Sequence, residues 1–243
     1  MNWLTATRPL IIGHRGASAD APENTLAAFA LALEQGADGI EFDVRLCADG
    51  VPVVIHDDTV DRTSDGTGRV IDLTLDELKQ LAIDQTHAIP MLDDVFETFG
   101  RAPLYNVELK AGGGVGDNGL AAAVVARIAA HRLGDRVLVS SFNPFVLRRA
   151  RRLLPTTVPV GLLRERAWLR AGHALVRAQA DHPDHTLVDE ALMGWARDRN
   201  LRINVWTVDD PAEAQRMTRL GVHAIITNKP SLIRKACSAA NPD

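Results

Sequence analysis

The feature that most constrains this chain is an alternation of short apolar, strand-like runs with longer helical segments. The runs are Leu10–Gly13, Gly39–Arg45, Leu104–Lys110, Val137–Phe142, Val158–Leu163, a weaker one near Leu175–Ala180, Arg202–Val208 and Ala224–Thr227. Parallel neighbours need a crossover, usually a helix, so the alternation predicts a parallel sheet. A ninth run, Val51–Ile55, follows the second after only "LCADG". So short a link makes a hairpin, and this run is expected to return antiparallel as an extension of the second strand. Eight parallel strands in 243 residues favour an α/β fold of the closed (β/α)8, or TIM-barrel, type. An open doubly wound sheet is the alternative, weakened because no glycine-rich dinucleotide turn follows the first run.

The intervening segments carry their own end signals. "ENTLAAFALALEQG" offers Asn24 or Thr25 as a helix start and Gly36 as its stop. "TLDE", Thr74 to Glu77, is a capping box, in which threonine and glutamate side chains bond each other's backbone amides. Asn143-Pro144 and Asp210-Pro211 each place a cap before an N1 proline, and Gly221 ends the second of these helices. Residues Asp57 to about Pro90 exceed a normal strand-to-helix connection, which predicts a small insertion folded over the barrel mouth. "AGGGVGDNG", Ala111–Gly119, is expected to be a flexible loop. With no repeat or second-domain linker, residues 1–243 are expected to form one domain, the insertion falling at about 57–90.

Composition excludes some functions. Net charge is −4 and aromatics make up 5% of the chain, which argues against a nucleic-acid surface. Cys47 and Cys237 match no metal or redox spacing, so both are expected to be reduced structural thiols. The first run begins at Leu10, and no apolar stretch approaches the ~18 residues that span a membrane. A cytoplasmic location without stable membrane insertion is therefore expected; the oligomeric state is left open.

The chemistry gathers at the carboxyl ends of the runs, which in a barrel open on one face. His14, Glu41, Asp43, Glu108, Lys110 and Trp206 lie at or near such ends, and His56 closes the hairpin that returns to the same rim. Strand period points Glu41 and Asp43 the same way, and likewise Glu108 and Lys110, while Phe42 and Val44 face the helices. Three converging carboxylates repel unless something neutralises them, and a divalent cation does so. All-oxygen donors without cysteine select a hard ion, Mg²⁺ or Ca²⁺. Arg15 and Lys110 suit an anionic substrate, and two histidines on one rim can serve as general acid and base. Metal, cations and paired imidazoles together point to phosphoryl transfer on a diester.

These residues stand in a pattern that resembles the glycerophosphodiester phosphodiesterase family. "GHRGASADAPENTLAAF", "GIEFDVRLCADGVPVVIHDDTVDRTSDGTG", "NVELK", "SSF", "NVWTVDD" and "GVHAIITNKP" occur in the family's order and spacing across nearly the whole chain. The resemblance implies a (β/α)8 barrel with a small insertion that cleaves deacylated phospholipids to an alcohol and sn-glycerol 3-phosphate. It implies that Glu41, Asp43 and Glu108 bind the metal and that His14 and His56 form the acid/base pair. Arg15 and Lys110 would hold the phosphate, and Trp206 would wall the glycerol end. Two departures are Asn228, where many members carry aspartate, and His223, where an acidic residue is common. Both lie outside the carboxylate triad and bear on selectivity.

Other readings remain open at this level. On the same barrel, a lysophospholipase D or a phospholipase C-like enzyme would use the same constellation, and a phosphoester-binding barrel would lack one of its members. Glu108 and Lys110 alone could be a rim ion pair, Trp206 a core aromatic, and Glu23 either a helix-start charge or a support behind the site. His182 and His185 are expected to be structural, and Arg148–Arg152 a solvated helix face.

Overall fold

The computed structural model describes residues 2–111 and 118–240, so most of the glycine-rich loop expected at Ala111–Gly119 lies outside the described residues. The chain opens with β1 (Leu10–His14), α1 (Leu26–Glu34), β2 (Gly39–Leu46) and β3 (Pro52–Val54). The insertion follows, with α2 (Leu75–Leu78), β4 (Ala82–Ile83) and β5 (His87–Ala88). Then come α3 (Leu92–Phe99), β6 (Leu104–Leu109), α4 (Leu120–Ala130), β7 (Val137–Ser141), α5 (Pro144–Leu153) and β8 (Val160–Arg164). The last part holds α6 (His173–Val176), β9 (Ala180–Pro183), α7 (Glu190–Arg197), β10 (Arg202–Val205), α8 (Pro211–Leu220), β11 (Ala224–Thr227) and α9 (Pro230–Ala240).

Among the described residues, eight parallel strands close a barrel in the order β1-β11-β10-β9-β8-β7-β6-β2, with β1 pairing β2 to complete the ring. This is a (β/α)8 barrel. As expected from the five-residue link, β3 returns antiparallel along β2, with Val44 opposite Val54. Strand alternation sorts the residues. Leu10, Ile12, Leu104, Leu138, Ala180, Ala224 and Ile226 pack together with Trp3 in the barrel's own core. Ile40, Phe42 and Val44 point outward against Phe29 and Ala32 of α1 and the neighbouring helices.

Local chemistry sets the element ends. Thr25, not Asn24, caps α1, its hydroxyl accepting from the Ala28 amide. The Thr74–Glu77 box is formed, and Asn143 and Asp210 cap α5 and α8 before their N1 prolines. Each such cap contributes about 1 kcal/mol. The weak strand expected near Leu175–Ala180 is misplaced: His173–Val176 is helical, Arg177 stops it in the left-handed region, and β9 runs from Ala180 to Pro183. Its signal was hidden because Asp181 and His182 are polar yet fully buried there. Asp181 takes a forked pair from Arg164, at 2.9 and 2.7 Å, and a bond from His173 at 3.0 Å. In the arginine run, Arg148, Arg149 and Arg152 are exposed. Arg151 departs from that reading by donating to the Val158 and Leu154 carbonyls.

The insertion has a small core of Val60, Val70, Leu78, Ile83 and Ile89, packed on Cys47, Val53 and Ile55. Arg62 ties it to the barrel rim, donating to Asp57 at 2.5 Å and to Glu23 at 2.7 Å. No helix among the described residues is long and apolar enough to cross a membrane.

Candidate active site

Register brings the polar residues of separate strands into rows. His14 of β1 pairs with Glu41 of β2, and Glu41 with Asn106 of β6. One pleat further on, Asp43 pairs with Glu108. Partners in register share a face, so two carboxylate rows and one imidazole converge at the carboxyl end of the barrel. Glu41, Asp43 and Glu108 each offer an oxygen within 4.8 Å of the others, and all three are buried. The hairpin delivers His56 to the same place. The Ile55 amide bonds the Asp43 carbonyl at 3.0 Å, and the Arg45 guanidinium holds the His56 carbonyl at 2.9 Å.

The turn after β1 is tight for a reason. Arg15 and Gly16 are both in the left-handed region, at φ 54° and 88°. A Cβ on Gly16 would lie 2.5 Å from the Ala28 carbonyl carbon, so only glycine lets α1 pack so closely. The turn points the Arg15 amide at Glu41, 3.1 Å away, and sets the Arg15 side chain between Asp43, at 3.2 Å, and Glu23, at 3.0 Å. Glu23 is thus a support behind the site, shared by Arg15 and Arg62. Lys110 reaches Glu108 at 2.7 Å and Asp43 at 3.2 Å.

Charge is not balanced by the protein alone. Two cations, Arg15 and Lys110, face three buried carboxylates. Burial alone would raise Asp43, but Lys110 and Arg15 hold it below the ordinary carboxylate range. Burial and the nearby Asp43 push Glu108 up to about 7. Burial, with Asp43 and Glu108 adding repulsion, drives Glu41 well above its usual value. Burial and mutual repulsion thus favour a proton on one of the three carboxylates, and a further cation would relieve that. The buried oxygen donors and their unmet negative charge fit a hard divalent ion.

Both imidazoles lean neutral. Burial lowers His14, with the Arg15 charge adding to it, and burial lowers His56 against the pull of Asp43 and Asp57. His14 Nε2 lies 4.0 Å from Glu41, and its Nδ1 is 2.7 Å from Asn228 Oδ1. His56 Nδ1 is 2.6 Å from Asp57, whose carboxyl Arg62 holds down at about 2.

His14, Arg15, Glu41, His56, Glu108, Lys110 and Trp206 line one cavity of about 250 Å³, and Asp43 lies against it through Arg15 and Lys110. The eight residues singled out in the sequence are thus brought together. Trp206 donates its indole N–H to the His182 carbonyl at 2.8 Å and meets Phe142 edge-on, ring centres 5.3 Å apart. Several polar neighbours were not anticipated. Asn24 donates to Asp43 at 2.9 Å, and Ser140 donates to Asn106 at 2.8 Å. Phe142 and Glu165 also line the cavity, and Asp209 grips Asn228. The period-two rule reaches Asn106, two residues before Glu108; Asn24, Ser140, Phe142, Asp209 and Asn228 fall within the family-like motifs without any sign of these contacts, and nothing in the sequence marks Glu165. His182 and His185 both have partners, Asn204 at 2.9 Å and Glu213 at 2.7 Å, away from the cavity.

Residues 14–232 match the family model described as the glycerophosphoryl diester phosphodiesterase family. The chain is 38% identical to a glycerophosphodiester phosphodiesterase of Caldanaerobacter subterraneus subsp. tengcongensis, over 94% of this chain and 99% of the relative. Its fold superposes on a phosphodiesterase of Oleispira antarctica solved in complex with the product sn-glycerol-3-phosphate. That TM-score is 0.85 at 30% identity, covering 94% of this chain and 96% of the other. A glycerophosphodiester phosphodiesterase of Thermotoga maritima aligns with a TM-score of 0.78 at 28% identity, covering 95% of this chain and 99% of the other.

Proposed function

The chain belongs to the glycerophosphoryl diester phosphodiesterase family, and from that membership we propose that it hydrolyses glycerophosphodiesters to an alcohol and sn-glycerol 3-phosphate. The observation that carries this reading is one cavity lined by His14, His56, Arg15, Lys110 and a buried carboxylate triad. The Oleispira relative, solved with sn-glycerol-3-phosphate, supports the product assigned here.

Glu41, Asp43 and Glu108 would hold one divalent cation, Mg²⁺ or Ca²⁺. Such an ion, when bound, polarises the phosphoryl oxygens and neutralises developing charge. Arg15 and Lys110 hold the phosphoryl group, the first as a planar fork and the second as a point charge. Trp206, braced on Phe142, walls the glycerol end.

His14 and His56 move the protons. One takes the proton of the substrate's 2-hydroxyl as that oxygen bonds to phosphorus. The other protonates the departing alcohol as its bond to phosphorus breaks. The product of this step is a five-membered cyclic phosphate. Water then opens it with the two roles reversed, so one water is consumed per turnover. The attached hydroxyl is favoured over free water because positioning gives it a large effective concentration.

Release of glycerol 3-phosphate from glycerophosphocholine and glycerophosphoethanolamine, with and without chelator, tests the reading. Turnover that disappears with chelator and returns with Mg²⁺ or Ca²⁺ supports it. Faster cleavage of lysophosphatidylcholine would move the activity to lysophospholipase D. A substrate lacking the 2-hydroxyl, cleaved as fast as its parent with no cyclic species by phosphorus NMR, would replace the intramolecular step with water attack.

A further inference from the structure

The hydrogen bonds behind His14 form a directed chain that begins after β10, two strands away from β1. His14 Nδ1 lies 2.7 Å from Asn228 Oδ1. Asn228 Nδ2 lies 2.6 Å from Asp209 Oδ2, and the Asn228 backbone amide donates to Asp209 Oδ1 at 2.8 Å. Thr227 Oγ1 donates to that same Oδ1 at 2.9 Å. Asp209 follows β10, and Asn228 follows β11, the strand paired with β1.

The orientation of the Asn228 amide follows from its neighbours. A carboxylate only accepts, so the atom facing Asp209 must be the NH₂ group. The carbonyl oxygen then faces His14 and Ser18, whose Oγ lies 2.7 Å away. A carbonyl oxygen also only accepts, so the imidazole nitrogen opposite it must bear hydrogen. The neutral ring is thereby fixed with hydrogen on Nδ1 and a lone pair on Nε2. Nε2 is the nitrogen that faces Glu41, 4.0 Å away.

We infer that Asn228, oriented by Asp209, is a positioning residue that sets the His14 tautomer and directs its Nε2 lone pair into the active-site cavity. This rests on the reading of His14 as a proton carrier, but the tautomer itself is a property of the resting protein. His56 is held in a different way, by the Asp57 carboxylate at 2.6 Å. The two histidines of one cavity thus have unlike supports, one an amide and one a carboxylate.

The test combines nitrogen NMR of histidine-labelled protein with steady-state kinetics, the His14 signals being identified by their loss in His14→Asn. The parent is expected to show His14 protonated at Nδ1. In Asp209→Asn the 228 amide is free to turn its NH₂ toward the ring, so the ring should shift to the Nε2-protonated form. Outer partners that orient a functional histidine are worth about 10- to 100-fold. Asp209→Asn and Asn228→Ala should each lower kcat by about that factor, with KM and melting temperature little changed. The exchanged pair Asp209→Asn with Asn228→Asp restores an acceptor at Nδ1 and a donor to hold it, and should recover most of kcat. An unshifted His14 tautomer in Asp209→Asn overturns the inference, and so does Asn228→Ala with kcat within about twofold of the parent. Full activity in His14→Asn would instead refute the proton-carrier role, whatever the tautomer shows.

Discussion

Lys110 Nζ stands 2.7 Å from Glu108 Oε1, two residues back along the same strand face. The pair is not a self-contained rim salt bridge, because Lys110 also reaches Asp43 at 3.2 Å and burial beside Asp43 still pushes Glu108 up to about 7. Lysine neutralises only part of the charge buried there. Glu108→Gln should therefore raise the metal concentration for half-maximal activity by about tenfold or more while the barrel still folds. Titrating activity with Mg²⁺ and Ca²⁺ after chelation reads this, with circular dichroism as the control for folding. Full activity at low metal would take Glu108 out of the ligand set.

His14 and His56 should each cost about 10²–10⁴-fold in kcat when replaced by alanine, the usual range for a positioned proton-transfer group. Metal affinity should change much less than kcat, since the three carboxylates are the donors and His14 only neighbours Glu41, at 4.0 Å. A loss confined to thermal stability, with kcat intact, would reduce either histidine to a structural role.

Arg15→Lys should not be silent. The guanidinium spans Asp43 at 3.2 Å and Glu23 at 3.0 Å from different nitrogens of one planar fork, a geometry that a point-charge ammonium does not reproduce. Weaker substrate binding, seen as a rise in KM of about tenfold, is the expected result. Unchanged KM and kcat would remove Arg15 from phosphate binding.

His223 gives a pH signature in stability. Burial, with the Arg202 charge adding to it, lowers the ring to about 4, and its Nδ1 accepts the Ile203 amide at 2.9 Å. In the unfolded chain the ring titrates near 6.5, so between about pH 6.5 and 4 the unfolded state binds the extra proton. Its contribution is present in full above that window and is lost as pH falls through it. Glu41 and Glu108, with raised values, pull the other way over part of the same range, so the comparison must be a difference. His223→Asn keeps the acceptor and removes the titration. Urea melts should show the parent losing stability relative to this variant as pH falls from about 7 to 5, by at most about 1.4 kcal/mol per pH unit. A difference that does not change with pH would mean the ring titrates alike in both states.

The alternation of apolar runs with capped helical segments was enough to establish a parallel α/β sheet and to favour the barrel, because each strand needs a crossover and each crossover carries its own end signals. The period of two along a strand likewise puts Glu41 with Asp43 and Glu108 with Lys110. What only the tertiary structure decided is everything that depends on register and closure. Asp43 meets Glu108, and His14 meets Glu41, because β2 pairs with both β6 and β1 in one particular alignment. Asn24 turns from a helix-cap candidate into a donor to Asp43 for the same reason. Strand β9 was nearly invisible because its buried Asp181 is satisfied by Arg164, a partner 17 residues away. Asn228 lies 214 residues from the His14 ring it orients. A hydrogen bond needs its two atoms within about 3 Å, and no local pattern records which distant carbonyl a closed sheet will bring to an imidazole.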